Sequence, residues 1–257
     1  LLMQQGIIAC DHLYIPILNV TIENIHPIVY IFFAMFVMVG CVNAVNLTDG
    51  VDGLSSSVTV PVMIFFAAAA VLRERWDLAL MPAALVGGLI AYLFYNWHPA
   101  KVFMGDTGSL FLGGVVCALA FALDMPLILV LVGFVYIVET VSDIIQVFYF
   151  KATHGKRIFR MAPLHHHFEM GGWSEVKLFG VFSGITVLLC LLASVMTNLG
   201  GSYMQRGIIN DFLYSGCTDV KGLIFALGKL VLIYLLGCVR CRVLLGNIMV
   251  ERYYLFL

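Results

Sequence analysis

The sequence predicts an all-α, polytopic transmembrane protein with about six spans and a possible seventh. Two observations predict it. The chain has 257 residues, of which 62% are hydrophobic and 11% charged, whereas soluble domains have roughly 45–50% apolar and about 25% charged residues. The apolar residues also collect into runs near the length of roughly 20 residues that crosses a bilayer as a helix. These runs cover 28–45, 57–73, 78–95, 109–124, 126–150 and 177–198, and the further candidate, 222–239, is interrupted by Lys229. Ahead of them, Asp11, His12, Glu23 and His26 mark the first 27 residues as a loop. Residues 1–198 therefore read as one membrane-embedded unit, and 199–257 as an atypical tail without a motif.

The remaining composition narrows the function. A net charge of −1 gives no basic surface for nucleic acid. The seven cysteines are scattered, mostly inside apolar runs, and read as small packing residues. Gly87-Gly88 and Gly113-Gly114 suit close helix contacts in lipid. The chain starts at Leu1 rather than Met and reads as lacking an upstream part.

Counting crossings places three polar islands on one side of the bilayer: 43–53, 96–109 and 151–177. That side carries Lys101, Lys151, Lys156, Arg157, Arg160 and Lys177, and the opposite loops before residue 199 carry Arg73 and Arg75. The imbalance predicts that the islands face the cytoplasm.

In the first island, Asn43 and Asn46 precede Asp49-Gly50-Val51-Asp52-Gly53. Two carboxylates on a glycine-rich turn suit Mg²⁺, which takes oxygen ligands and keeps several waters. The same residues also suit a polar helix cap. In the second island, Asp106 lies between Gly105 and Thr107-Gly108, just ahead of an apolar run. A carboxylate there sits beside the positive end of a helix, a place suited to a metal-bound phosphate. Phe103, three residues earlier, offers a face to a nucleobase. A cap by Asp106 or Thr107 explains one polar residue but not Asn96, His98, Lys101 and Asp106 together.

The third island contains Pro163-Leu164-His165-His166-His167-Phe168-Glu169. Adjacent residues do not share a helix face, so the three histidines are expected on a turn, pointing different ways. One or two meet the substrate and the rest bond locally. Their spacing lacks the i, i+4 pattern common in zinc sites. Lys156, Arg157 and Arg160 mostly read as headgroup anchors. Glu139 and Asp143 lie four apart within the 126–150 run. Ionisable residues in a span are functional candidates, but a polar helix contact explains these two equally well. They stay outside the expected site.

A site with several carboxylates, a histidine cluster and an aromatic, at a bilayer surface, suits Mg²⁺-assisted phosphoryl transfer between a soluble and a lipid substrate. The stretches Asn43–Gly53, Phe103–Leu110 and Arg157–Glu169 resemble the phospho-N-acetylmuramoyl-pentapeptide transferases. These belong to the polyprenyl-phosphate N-acetylhexosamine-1-phosphate transferase superfamily, and the resemblance covers roughly residues 1–198. It implies transfer of phospho-MurNAc-pentapeptide from UDP-MurNAc-pentapeptide to undecaprenyl phosphate, giving lipid I and UMP in peptidoglycan synthesis. It further implies Mg²⁺ as cofactor, a homodimer, and a multi-pass protein of the bacterial plasma membrane with its site on the cytoplasmic face. By motif, Asp106 would be the Mg²⁺ ligand, Phe103 would stack on uracil, and Asn96 would lie in the nucleotide pocket. Asn46, Asp49 and Asp52 would contact the nucleotide-sugar or its phosphates, and His165, His166 and His167 would line the cleft.

Two departures follow. The family has ten spans and an upstream adjacent aspartate pair, and this chain has no Asp-Asp dipeptide. The chain alone is therefore expected to be inactive or nearly so. The tail also carries no family motif. The rival readings are a related enzyme moving HexNAc-1-phosphate from a UDP-sugar to a polyprenyl phosphate, a membrane transporter or metal-binding protein without chemistry, and a non-catalytic remnant. The one-sided clustering of polar residues argues against a transporter, whose polar groups gather near the midplane on broken helices.

Overall fold

The computed structural model describes residues 13–15 and 20–201, with the side chains of 198–201 left aside. The tail and the candidate span 222–239 lie outside the described residues. A short antiparallel hairpin, β1 (Leu13–Ile15) and β2 (Val20–Ile22), occupies part of the stretch expected as loop. Among the described residues every later element is helical, as suits a chain that must satisfy its backbone inside lipid.

Among the described residues, five helices are long and apolar enough to cross a membrane: α1 (Pro27–Thr48), α2 (Leu54–Leu72), α3 (Trp76–Asn96), α4 (Gly105–Ala122) and α8 (Glu175–Gly201), the last over Glu175–Thr197. The chain is a multi-pass helical membrane protein. α1 begins where Pro27 sits in the first turn and the His26 side chain accepts from the Ile28 N–H at 3.3 Å, a proline position that costs no helix bond. α2 is the central helix. Its Leu54, Val58, Val62, Met63, Phe66 and Ala70 are completely buried, with α3 and α8 packed against it. α1 instead exposes Phe32, Phe36 and Val39 and packs its other side on α4 and α6. Gly113 allows that approach: a Cβ there would lie 2.7 Å from Val42 Cα. Cys41 donates to the Gly113 carbonyl across the same seam (3.4 Å).

The expected span over 126–150 is bent at a break. A helical stretch Pro126–Val132, which includes α5 (Leu129–Val132), meets α6 (Phe134–Ala152) at a bend of 82°. Gly133 occupies the break, where a Cβ would lie 2.6 Å from the Leu129 carbonyl oxygen. If the bent pair counts as one span, the total is six. The short helix α7 (Leu164–Glu169) carries the three histidines, where a turn was expected.

Candidate active site

The three islands meet. α1 ends at Thr48, and Asp49 and Asp52 lie in the tight turn before α2. Gly53 closes that turn at φ +71°, a left-handed conformation that glycine adopts without strain. Its N–H donates to the buried Asn96 side-chain oxygen (3.0 Å), while Asn96 Nδ2 donates to the Val102 carbonyl (2.9 Å). Asn96 thus braces the first island against the second. Both ends of its amide are used within the protein.

Gly105, at φ +62°, turns the second island into α4 and places Asp106 in its first turn. The helix N-cap is Met104, so Asp106 is free of the capping role and exposed. Asn46 Nδ2 reaches across from α1 and donates to Asp106 Oδ1 (3.1 Å) and to Ser109 Oγ (2.9 Å). Burial, and then the nearby Asp106 charge, push the Asp49 carboxyl up to about 6. Two carboxylates, one of them held by the Asn46 amide N–H, therefore share one corner, where the Asp106 charge raises the cost of ionising Asp49. An all-oxygen set of this kind suits a hard cation such as Mg²⁺. Phe103 is 72% exposed beside this corner.

Asp52 points elsewhere. Its Oδ2 accepts from the Ala100 N–H (2.8 Å) and lies 3.2 Å from His98 Nδ1. The same His98 nitrogen is 3.1 Å from Glu175 Oε2 at the start of α8. Asp52, His98 and Glu175 offer ligand atoms that all lie within 4.8 Å of one another. One imidazole shared by two carboxylates already ties the first island, the second island and α8 together.

The three histidines go to three different partners. His165 is completely buried, with Nδ1 2.9 Å from Glu139 Oε2 on α6. His166 Nδ1 lies 2.9 Å from Glu169 Oε2. His167 Nδ1 accepts from the Arg160 N–H (3.1 Å). The rings do not converge on a single point, in keeping with their expected divergence. Arg160 also donates to the Met170 carbonyl (2.8 Å), and Gln146 of α6 holds the Ile158 and Phe159 backbone at 3.0–3.1 Å. His165 in turn packs on the first island, since a Cβ on Gly50 would lie 2.4 Å from its Nε2.

The residues expected at the site therefore fall into two groups. Asn46, Asp49 and Asp106 share one corner, with exposed Phe103 beside it. Asp52, Asn96 and His165 link the islands. Reading the sequence missed Glu139, Glu175 and Gln146. Glu139 carried a signal, an acid inside an apolar run, but not the identity of its partner. Asp143, four residues on, is partly exposed.

With this geometry in place, comparison with known proteins is informative. Residues 1–124 match glycosyl transferase family 4. The chain is 51% identical over 180 residues to the phospho-N-acetylmuramoyl-pentapeptide-transferase of Clostridium acetobutylicum, covering 70% of this chain and 56% of the relative. A Clostridium perfringens protein of the same name is 55% identical over 179 residues, covering 70% and 56%. One from Clostridium botulinum is 54% identical over 147 residues, covering 57% and 45%. The chain spans about half the length of the curated relatives it matches. The stretch matched by glycosyl transferase family 4 holds Asn46, Asp49, Asp52, Asn96, Phe103 and Asp106, whereas Glu139, His165, His166 and His167 lie beyond it.

Proposed function

We propose that this site serves the transfer of phospho-MurNAc-pentapeptide from UDP-MurNAc-pentapeptide to undecaprenyl phosphate, yielding lipid I and UMP. The carrying observation is the corner at which Asp49 crowds Asp106 while Asn46 holds the Asp106 carboxylate from a different helix. The names of the relatives support the substrates. In the net reaction, an oxygen of the lipid phosphate bonds to the sugar-linked phosphorus, and the bond from that phosphorus to the UMP oxygen breaks.

Asp106 and Asp49 hold Mg²⁺ in this reading, with Asn46 orienting Asp106. When bound, Mg²⁺ neutralises the diphosphate and the leaving UMP. Phe103 presents its exposed ring to uracil. Asp52 and Asn96 keep the two turns at the spacing the nucleotide needs. The histidine helix closes the remaining wall of the cleft. The bilayer is the bacterial plasma membrane, with the site on its cytoplasmic side, as the excess of Lys and Arg there supports.

The test is Mg²⁺-dependent release of UMP with undecaprenyl phosphate as acceptor. The protein assayed is the chain joined to the upstream residues of a full-length relative. Release from UDP-MurNAc-pentapeptide is expected, and UDP-GlcNAc should not replace it. Preferential use of UDP-GlcNAc would instead make this a HexNAc-1-phosphate transferase. No release from either sugar nucleotide would remove the assignment.

A further inference from the structure

We propose that Glu139 is a positioning residue that fixes the tautomer and direction of His165, so that His165 presents Nε2 to the Asp49–Asp52 turn. Nothing in the function proposed above requires Glu139. It lies on α6, past the break at Gly133, in a helix outside the family 4 segment.

Both side chains are completely buried. A buried carboxylate is costly unless it is paired and hydrogen-bonded, so its partners indicate what it is for. Glu139 Oε2 takes two contacts from a single residue: the His165 ring at Nδ1 (2.9 Å) and the His165 backbone N–H (3.3 Å). The backbone N–H can only donate, so Oε2 is an acceptor there. The N–H is also one of the orphan donors of the first turn of α7. Glu139 thus caps the histidine helix from another helix and sets its ring at the same time.

A carboxylate accepting from Nδ1–H leaves Nε2 as the ring's lone-pair nitrogen, because the hydrogen bond at one nitrogen determines the proton at the other. Nε2 is buried and has no hydrogen-bond partner among the described residues. It is aimed at Gly50: a Cβ there would lie 2.4 Å from Nε2 and 2.9 Å from Cε1. Only the missing side chain at Gly50 lets the ring reach the turn carrying Asp49 and Asp52. The His166 ring lies against the other side, with centroids 4.2 Å apart. The line Glu139–His165–Gly50 therefore joins the third island to the first and points an acceptor nitrogen at it. With Nε2 sealed against Gly50, the ring fixes the position of the turn that carries Asp49 and Asp52.

The first test needs no activity. The 257-residue chain is prepared in detergent micelles with ¹⁵N-labelled histidine, and His165 is assigned among the seven histidines by its loss in H165Q. The wild-type ring is expected to carry its proton on Nδ1, with Nε2 unprotonated. Glu139→Leu removes the acceptor and should abolish that pattern while leaving the His166 and His167 signals in place. Glu139→Gln keeps a carbonyl oxygen that can take the place of Oε2, so it should recover the Nδ1–H ring. A wild-type ring protonated on Nε2, or a pattern unchanged in Glu139→Leu, would overturn the proposal without reference to any variant's activity.

The second test rests on the transferase reading and uses the extended protein. Glu139→Leu should lower kcat by about 10²-fold or more, the scale of displacing a catalytic turn by about 1 Å. KM for the nucleotide-sugar should stay within about threefold, and Glu139→Gln should regain most of the loss. An altered ring with unchanged kcat would overturn the catalytic consequence. If the wild type itself releases no UMP, the transferase reading fails, and the ring spectrum still decides the role of Glu139.

Discussion

The two sides of the site are built in opposite ways. At the Asp49–Asp106 corner, carboxylates lie close together at an exposed helix start, one of them pushed up to about 6, with an asparagine as their fixed neighbour. At the Glu139–His165 pair, an acid and an imidazole are sealed away completely and matched to one another. In the proposed function, the first side keeps its carboxylates where a cation and a diphosphate would arrive. The second is set in advance by packing and admits neither. A site that handles a highly charged substrate benefits from this division. Charge is neutralised only on binding at one wall, while the opposite wall holds its geometry at no further cost in reorganisation.

The strongest way to break this contrast is at its charged side. Asp106→Asn keeps an oxygen for Asn46 to bond but removes the charge. It should reduce UMP release in the extended protein by about 10³-fold or more, with little change in thermal unfolding, since a metal-holding carboxylate contributes mainly to transition-state charge. Activity within tenfold of wild type would remove Asp106 as the metal ligand.

A smaller effect is expected one step behind it. Asn46→Ala removes the 3.1 Å bond to Asp106 and the 2.9 Å bond to Ser109. The Mg²⁺ concentration for half-maximal activity should rise by about 10–100-fold, as is typical when the partner of a metal ligand is lost. A Mg²⁺ titration in which only the plateau falls would assign Asn46 to the substrate instead.

The packed side should break differently. Gly50→Ala forces a Cβ into the His165 ring and should destabilise the protein by about 1–3 kcal/mol through overpacking. Equilibrium unfolding in mild detergent would show this, and a neutral result would mean that the ring can swing away from the turn.

The smallest effect sharpens the comparison through pH. The Asp49 carboxyl is raised from its ordinary 3.8 to about 6. Between those values the folded state binds more protons at Asp49 than the unfolded one, so the Asp49 contribution to stability is fully present below about 4 and is lost as pH rises through about 6. In a chelator, the melting temperature should fall across that window for wild type and stay flatter in Asp49→Asn. Added Mg²⁺ should offset the fall, by neutralising the corner.

Much of this was legible in the chain. Hydropathy alone located α1, α2, α3, α4 and α8 to within a few residues, because lipid leaves a spanning segment no choice but a helix. Crossing parity then put Asn46, Asp106 and His165 at the same end, where the fold has them meet. The broken helix was not legible. Gly133 within an apolar run looks like any membrane glycine, and its bend depends on how Pro126–Val132 packs against its neighbours. The Glu139–His165 pair was hidden for the same reason. The two residues are 26 apart in sequence, and no local periodicity encodes which distant ring an acid will meet. The partners of Asn96 were hidden too: the resemblance implied a place in the nucleotide pocket, and only the fold shows both ends of its amide bonded to Gly53 and Val102.

The sequence by itself determined that this is a helical, multi-pass membrane protein with its chemistry-bearing residues gathered at one face. That follows because the cost of exposing polar groups to hydrocarbon is large and acts on each segment independently. Only the tertiary structure decided which carboxylates crowd one another, which histidine is buried, and which residue fixes it. Those outcomes depend on distances of about 3 Å between residues far apart in the chain, set by close packing among helices such as α1, α4 and α6.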